Sequence, residues 1–206
     1  LPPSLSLTMS ASPSLEPAMK TAAMAVADAA EAARSVANTL SEKMGEGTLG
    51  KADTSPVTVG DFAVQAVVCK RLMEAFPDDG VIAEESAEEL RKPESEKLLG
   101  LVVDAVRVVV PSATAADVCD WIDRGSLREH RERYWTLDPI DGTKGFLRRQ
   151  QYAVCLALVC GGKPVAGALA CPNMPPSLEG EGAEGPPGTL FSGYKGGGCY
   201  SQPMVP

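Results

Sequence analysis

Apolar residues recur three and four positions apart over residues 16–44, which is the spacing of one face of an α-helix. The stripe consists of Met19, Ala22, Ala23, Val26, Ala30, Ala33, Val36 and Leu40. Because it is rich in alanine, we predict one long helix that approaches its packing partner closely. Gly45, Gly47 and Gly50 mark the end of this helix.

A second helical pattern starts near Asp61 and ends before the turn FPDDG. The preceding segment KADTSPVTVGD contains a proline and short polar residues, so we predict it to be extended or turned. Residues 98–110 and 113–124 predict two more helices, which are separated at Pro111. The charged stretch 87–97 predicts a solvated loop.

Short apolar runs elsewhere predict strands. VIA ends in Glu84 and Glu85, and YWTL runs directly into DPIDGT. Three further runs follow, YAVCLALVC, KPVAGALACP and GTLFSGY, and Gly161-Gly162 between the first two predicts a hairpin. Long helices followed by an antiparallel meander predict an α+β fold, with the helices packed on one face of the sheet.

Composition predicts one folded unit at residues 16–206. Residues 1–15 are rich in Ser and Pro, and we predict that they are disordered; the alternative that they are the end of a targeting peptide stays open. The net charge of -8, from 19 Lys+Arg and 27 Asp+Glu, argues against a nucleic-acid polymer as partner. No apolar run approaches the about 20 residues of a membrane helix. A single histidine, His130, argues against Ser-His-Asp catalysis and multi-histidine metal sites.

The cysteines predict free, mostly buried thiols, although a disulfide pairing stays open. They are Cys69, Cys119, Cys155, Cys160, Cys171 and Cys199. None forms a C-x-x-C pair, so a zinc site is not indicated. Several lie within apolar runs, as in AVCLALVC. Free thiols indicate a reducing compartment, and we expect an intracellular protein of the cytoplasm, a plastid or a mitochondrion that is not secreted.

Carboxylates cluster in three places along the chain. The hexapeptide DPIDGT carries Asp138 and Asp141 in a predicted tight turn, where two carboxylates and a backbone carbonyl suit Mg²⁺. Glu84 and Glu85 end a strand, and Asp61 lies at a helix start. The plainer alternatives are an ordinary turn, a solvated surface pair and a helix cap.

Three motifs together carry a specific resemblance over roughly residues 16–200. KADTSPVTVGDFAVQ, VIAEES and WTLDPIDGTKGFLRRQQYAVCLALV resemble the inositol monophosphatase-like superfamily of metal-dependent, lithium-sensitive phosphatases in order and spacing. DPIDGTKGFLR, with SPVTVGD upstream, is most similar to the 3'(2'),5'-bisphosphate nucleotidase branch, since plain monophosphatases diverge after DPIDGT. ACPNMP and GTLFSGYKGGG are also similar to that branch.

The resemblance implies a metal centre that holds two or more Mg²⁺ ions in the family's enzymes. Glu84 matches a metal ligand, and Asp138 matches a ligand shared between metals. The backbone carbonyl of Ile140 matches a further ligand, and Asp141 matches a ligand of the second metal.

The resemblance also implies the residues that activate water. Thr143 and Asp61 match the pair that orients and deprotonates the attacking water. Lys51 matches a basic position whose role stays open, and Ala83 stands where a glycine usually precedes the acidic pair.

The implied activity is Mg²⁺-dependent hydrolysis of the 3'-phosphate of adenosine 3',5'-bisphosphate, a small-molecule substrate, to AMP and phosphate. The sulfated analogue and inositol 1,4-bisphosphate are further implied substrates, and sulfur assimilation is the implied process. One alternative is an inositol monophosphate phosphatase. Another is a non-catalytic metal-binding fragment, because the family's second α/β domain, with its W-D-x-x-A-G segment, has no counterpart here and we expect a C-terminal truncation. The oligomeric state stays open.

Overall fold

A computed structural model describes residues 14–45, 56–129, 131–175 and 188–204 of the protein. The helices are α1 (Glu16–Gly45), α2 (Pro56–Ala75), α3 (Glu96–Arg107), α4 (Ala115–Asp123) and α5 (Thr143–Leu147). The strands are β1 (Gly80–Ile82), β2 (Arg133–Asp141), β3 (Ala153–Cys160), β4 (Lys163–Cys171), β5 (Thr189–Tyr194) and β6 (Gly198–Pro203). The predicted disordered segment lies almost wholly outside the described residues.

The six strands form one sheet in the order β1-β2-β3-β4-β5-β6. Strands β2 to β5 form the predicted antiparallel meander, and β6, which was not predicted, extends it by one antiparallel strand. Strand β1 pairs with β2 in parallel, so the sheet is mixed and the prediction of an antiparallel sheet needs this correction. The parallel pair is possible because α3 and α4 lie between these strands and supply the long crossover. The predicted hairpin is confirmed, with positive φ angles of 55° and 70° at Gly161 and Gly162.

Helices α1 and α2 cover one face of the sheet, which confirms the predicted α+β arrangement. The alanine stripe of α1 is wider than predicted, because Ala25, Ala29 and Ala32 are also fully buried. The buried alanines of β4 lie in the same core. Small side chains on both elements allow the close approach that the sequence predicted. Leu40 lies in a part of α1 whose side chains are not described.

Helix α2 begins at Pro56, so the prediction of an extended segment up to Asp61 was wrong for its last five residues. Proline is well tolerated in the first turn of a helix, where its missing N–H has no helical partner. Every residue from Phe62 to Cys69 is buried, because α1 packs on one side of α2 and α3 and α4 pack on the other. The predicted loop at 87–97 is likewise not wholly solvated, since Ala87 and Leu90 are buried.

The opposite surface of the sheet, called the open face below, forms a trough of about 770 Å³. Its lining includes Glu84, Asp138, Cys155, Ala157 and Leu169. The side chains of β3 alternate, with Val154, Leu156 and Leu158 in the core and the intervening residues toward the trough. The acidic ends of β1 and β2 therefore face the side of the sheet that α1 and α2 do not cover.

All six cysteines are free thiols, as predicted, but only Cys69 and Cys119 are buried. Cys199 is exposed on β6 and the remaining three are half-buried, so the prediction of mostly buried thiols was only partly right. Among the helices that the structure describes, none combines the length and apolar character needed to cross a membrane.

Asp79 connects the turn before β1 to the start of β2 by hydrogen bonds. Its carboxylate oxygens accept hydrogen bonds from Nε of Arg133 at 2.8 and 2.9 Å and from Nε1 of Trp135 at 2.9 Å. Trp135 is fully buried, so Asp79 is the partner that satisfies its indole N–H inside the core. The register of β1 against β2, and with it the edge that carries Glu84, depends on this contact.

Asp79→Ala should lower the free energy of unfolding by about 2–3 kcal/mol, because it removes charge-assisted hydrogen bonds and leaves the buried indole N–H unpaired. Urea unfolding followed by circular dichroism measures the change. Asp104→Ala is the matched control, since Asp104 is 75% exposed and its only described ion pair is 4.0 Å long. Equal unfolding free energies for the two variants would contradict the assigned role of Asp79.

Candidate functional site

Glu84 and Asp138 come together because β1 and β2 run parallel. Ile82 pairs with Thr136, so each acidic residue lies two positions beyond a paired residue, at the same edge of the sheet. Both side chains are exposed and line the trough on the open face. Glu85 is half-buried beside them.

A β-bulge brings Asp141 to the same side as Asp138. Asp138 pairs with Cys155 and Asp141 pairs with Ala153, so three steps along β2 match two steps along β3. Residues three apart in a regular strand point to opposite faces, and the one extra residue of a bulge removes that opposition. The prediction of a tight turn was therefore wrong, since the chain stays in β2 through Asp141, and both carboxylates are exposed.

Asp61 reaches the site because Gly60 allows a close approach. A Cβ atom at Gly60 would lie 2.6 Å from Cδ1 of Ile140 and 3.3 Å from the ring of Phe146. Glycine lets α2 pack this tightly on the end of β2 and on α5 without displacing the Ile140 side chain. The next residue of α2, half-buried Asp61, is thereby held beside the carboxylates of β1 and β2.

The short helix α5 places Thr143 directly after the two aspartates. Gly142 adopts a positive φ of 90°, and its carbonyl accepts hydrogen bonds from the N–H groups of Gly145 and Phe146. The exposed Thr143 hydroxyl lies 3.5 Å from the carbonyl oxygen of Ile140, which is one of the predicted metal ligands. No hydrogen bond joins Thr143 to Asp61 within the described residues.

The carboxylates repel one another strongly. Burial, followed by the negative charges of Glu85, Glu84 and Asp138 in that order, together raise the pKa of Asp61 to about 7. Burial also raises the pKa of Asp138, with added repulsion from Asp141 and Glu84. Acidic groups of α2, of β2 and of the segment after β1 therefore interact electrostatically with one another. A bound cation would relieve this repulsion.

The candidate ligands are of the chemical type that binds a hard divalent cation. Their side chains are not yet arranged around a common point. These ligands are carboxylates and the Ile140 carbonyl, the oxygen ligands that Mg²⁺ prefers. Among the described residues, no three His, Cys, Asp or Glu side chains converge closely enough to hold a metal ion as they stand. Glu84, Asp138 and Asp141 are all exposed, so rotation of their side chains is the movement that binding would require. Their assignment as ligands stays a prediction.

The sequence did not indicate that two further residues, Cys155 and Gln65, lie near the site. Cys155 lies directly across from Asp138, and burial together with the negative charges of Asp141 and Asp138 raises its pKa to about 12, which keeps the thiol protonated. Gln65 is completely buried in α2 and hydrogen-bonds the backbone of Glu85. The only signal for Gln65 was a polar residue inside an apolar helical run. Lys51, whose role stayed open, lies outside the described residues.

Comparison with known proteins gives consistent results at three levels. The model of the inositol monophosphatase family matches residues 14–204. The 3'(2'),5'-bisphosphate nucleotidase of Schizosaccharomyces pombe is 42% identical in an alignment of 172 residues that covers 78% of this chain and 48% of that protein. The probable 3'(2'),5'-bisphosphate nucleotidase 3 of Arabidopsis thaliana is 39% identical in an alignment of 197 residues that covers 85% of this chain and 55% of that one.

The solved structure of an inositol monophosphatase from Anabaena superposes on 91% of this chain and 47% of its own, with a TM-score of 0.51 and 19% identity. This likeness concerns the fold alone. The chain spans about half the length of the curated relatives it matches.

Gly145→Ala should destabilise the protein by about 1–3 kcal/mol, the usual cost of overpacking, because its Cβ would clash with the Gln151 carbonyl oxygen. Gly100→Ala is the matched control, since Gly100 lies inside α3 with no atom within 4 Å of the added Cβ, and it should stabilise by about 0.5–1 kcal/mol. Urea unfolding of both variants tests the opposite signs. A neutral Gly145→Ala variant would contradict the close contact that positions α5 and Thr143.

Proposed function

The chain belongs to the inositol monophosphatase family, and from this membership we propose that it is the metal-binding part of a 3'(2'),5'-bisphosphate nucleotidase. The proposed reaction is Mg²⁺-dependent hydrolysis of the 3'-phosphate of adenosine 3',5'-bisphosphate to AMP and phosphate. The names of the relatives at 36–42% identity support the nucleotide as substrate. The sulfated analogue and inositol 1,4-bisphosphate, sensitivity to lithium and a place in sulfur assimilation belong to the same proposal.

The main observation behind the proposal is the electrostatic interaction among carboxylates from three separate segments. Asp61 of α2 has its pKa raised to about 7 by burial and by acidic groups that follow β1 and lie in β2. Such a concentration of negative charge is unfavourable in a fold without a counter-ion. It is favourable in a protein that binds divalent cations at this edge of the sheet.

Glu84, Asp138, Asp141 and the Ile140 carbonyl are the groups that would hold Mg²⁺. When bound, the divalent ions neutralise the phosphate dianion, lower the pKa of water and stabilise the leaving oxygen.

Asp61 is placed to accept a proton from the attacking water. Its half-buried position beside the acidic groups suits a general base, because a bound cation would keep its carboxylate ionised and able to accept a proton. The Thr143 hydroxyl, beside the Ile140 carbonyl at the exposed end of β2, is placed to hold that water by a hydrogen bond. Both side chains stand on rigid helical segments, which limits the entropy lost on reaching the reactive arrangement.

Two other functions compete with this proposal. An inositol monophosphate phosphatase would share the fold, but the sequence after DPIDGT and the names of the curated relatives favour the nucleotidase. A non-catalytic metal-binding fragment is the second, because the chain spans about half the length of those relatives. Phosphate release from adenosine 3',5'-bisphosphate and from inositol monophosphate, each with and without Mg²⁺, separates the three.

Asp138→Asn should weaken Mg²⁺ binding by at least about tenfold, the lower end of the loss seen even for outer-shell partners of metal ligands. Isothermal titration calorimetry of residues 1–206 measures the affinity, with Asp104→Asn as a control because Asp104 is exposed and lies on α3. Equal Mg²⁺ affinity in the wild-type chain and Asp138→Asn would remove Asp138 from the site.

Asp61→Ala should reduce phosphate release from adenosine 3',5'-bisphosphate by about 10²-fold or more, the usual scale for loss of a general base, while most Mg²⁺ binding remains. The assay compares the wild-type chain and the variant as residues 1–206, each with added Mg²⁺. An Asp61→Ala variant that retains most of its rate would leave Asp61 as a structural residue only.

A further inference from the structure

Gln65 is a polar residue in the core whose amide hydrogen-bonds entirely to backbone outside its own helix. It is 0% exposed and lies in α2 among apolar neighbours. Its Nε2 donates hydrogen bonds to the carbonyl oxygens of Glu85 and Ile122, both at 2.8 Å. Its Oε1 accepts one from the Glu85 N–H at 3.0 Å. Both donors and the acceptor of the amide are therefore used.

These contacts fix the peptide group between Glu84 and Glu85. The Glu85 N–H belongs to the planar unit that also contains the Glu84 carbonyl, so holding that N–H constrains the backbone orientation of Glu84. The Glu85 carbonyl is held at the same time, which fixes the following peptide unit as well. The direction in which the exposed Glu84 side chain leaves the backbone depends on this pair of contacts.

The end of α4 supports the same loop from the other side. The Ala83 N–H donates to the Gly125 carbonyl at 3.0 Å, and the Ala87 N–H donates to the Asp123 carboxylate at 2.9 Å. A Cβ atom at Gly125 would lie 2.6 Å from Nε2 of Gln65, so only glycine lets α4 end this close to the amide. The loop that carries Glu84 is thus held at both ends and in the middle.

Gln65 also connects two parts of the site. It lies four residues after Asp61 on α2, so the two side chains lie one above the other on the same face of the helix. One rigid helix therefore presents the candidate base and also holds the backbone beside the candidate ligand Glu84. Any shift of α2 relative to β1 would move both together.

We propose that Gln65 is a positioning residue for the candidate metal centre, which holds the Glu84–Glu85 backbone so that the Glu84 carboxylate faces Asp138. This inference rests on the proposed function in one respect, namely that Glu84 binds the divalent cation. Gln65 itself touches neither cation nor substrate. Its effect on cation affinity passes through the backbone of the acidic pair.

The test compares Gln65→Met with Val68→Ala in residues 1–206. Methionine keeps the length of the buried side chain and removes all three hydrogen bonds, whereas Val68→Ala disturbs the core at another fully buried position of the same helix. Two readouts are taken on each variant. Mn²⁺ affinity is measured from the electron paramagnetic resonance signal of the free ion, and amide hydrogen exchange at Glu85 is measured by NMR without metal.

We expect Gln65→Met to weaken Mn²⁺ binding about tenfold or more, as loss of an outer-shell partner does, and to accelerate exchange of the Glu85 amide. Val68→Ala should lower the melting temperature while changing both readouts by less than about twofold. If Gln65→Met does not fold, Gln65→Glu replaces it, since glutamate keeps an acceptor for the Glu85 N–H but loses both donors. Weaker Mn²⁺ binding in this variant is then expected as well.

Equal effects of the Gln65 and Val68 variants on Mn²⁺ affinity would overturn the positioning role. A wild-type chain that binds no Mn²⁺, or binds it unchanged in Asp138→Asn, would contradict the proposed function itself and the positioning role with it. These failures are distinguishable, because only the first leaves wild-type binding intact and dependent on Asp138.

Discussion

The parallel pairing of β1 with β2 is the constraint on which the candidate site depends. It places the carboxyl ends of both strands at one edge of the sheet, so Glu84 and Asp138 meet although more than fifty residues separate them in the chain. The pairing is itself held by Asp79, which ties the turn before β1 to Arg133 and Trp135 at the start of β2. A partly buried ion pair, joined by a hydrogen bond to the buried Trp135, thus supports the pairing that positions the acidic groups.

Carboxylates held together in this way cost folding energy unless something compensates their repulsion. The raised pKa of Asp61 and of Asp138 shows that the folded chain pushes these groups toward their neutral forms. For each raised carboxyl pKa, the folded state loses stability as the pH rises from the unfolded pKa toward the folded one. A divalent cation opposes this loss of stability because it binds the ionised carboxylates. The stability of this edge of the sheet therefore depends on whether a cation is bound.

Periodicity in the sequence predicted most of the fold. The three- and four-residue spacing over 16–44 gave α1, and the Gly161-Gly162 pair gave the hairpin, because both signals are local. The start of α2 was placed too late, since a helix buried on several sides has no polar face to mark its first turn. The parallel position of β1 was also missed, because strand order depends on how α3 and α4 pack and not on the strand's own three residues.

The identity of the site residues stays a prediction, whereas part of its geometry can be compared with the structure. The motifs led to Asp61, Glu84, Asp138 and Asp141, and the bulge in β2 between the last two was taken for a turn. The supporting contacts of Gln65 could not be predicted, because nothing in the sequence indicates which backbone a buried amide will meet. Close approaches that need glycine, as at Gly60 and Gly125, likewise become visible only when distant segments are placed side by side.

The central claim is that carboxylates from α2, β1 and β2 form one divalent-cation site. Anomalous X-ray diffraction from crystals of this chain soaked in Mn²⁺ tests it most directly. The account predicts an anomalous peak between Glu84, Asp138 and Asp141, near Asp61. The peak should be absent from crystals of Asp138→Asn. A wild-type crystal with no peak at this edge, or with its strongest peak elsewhere on the molecule, would contradict the account.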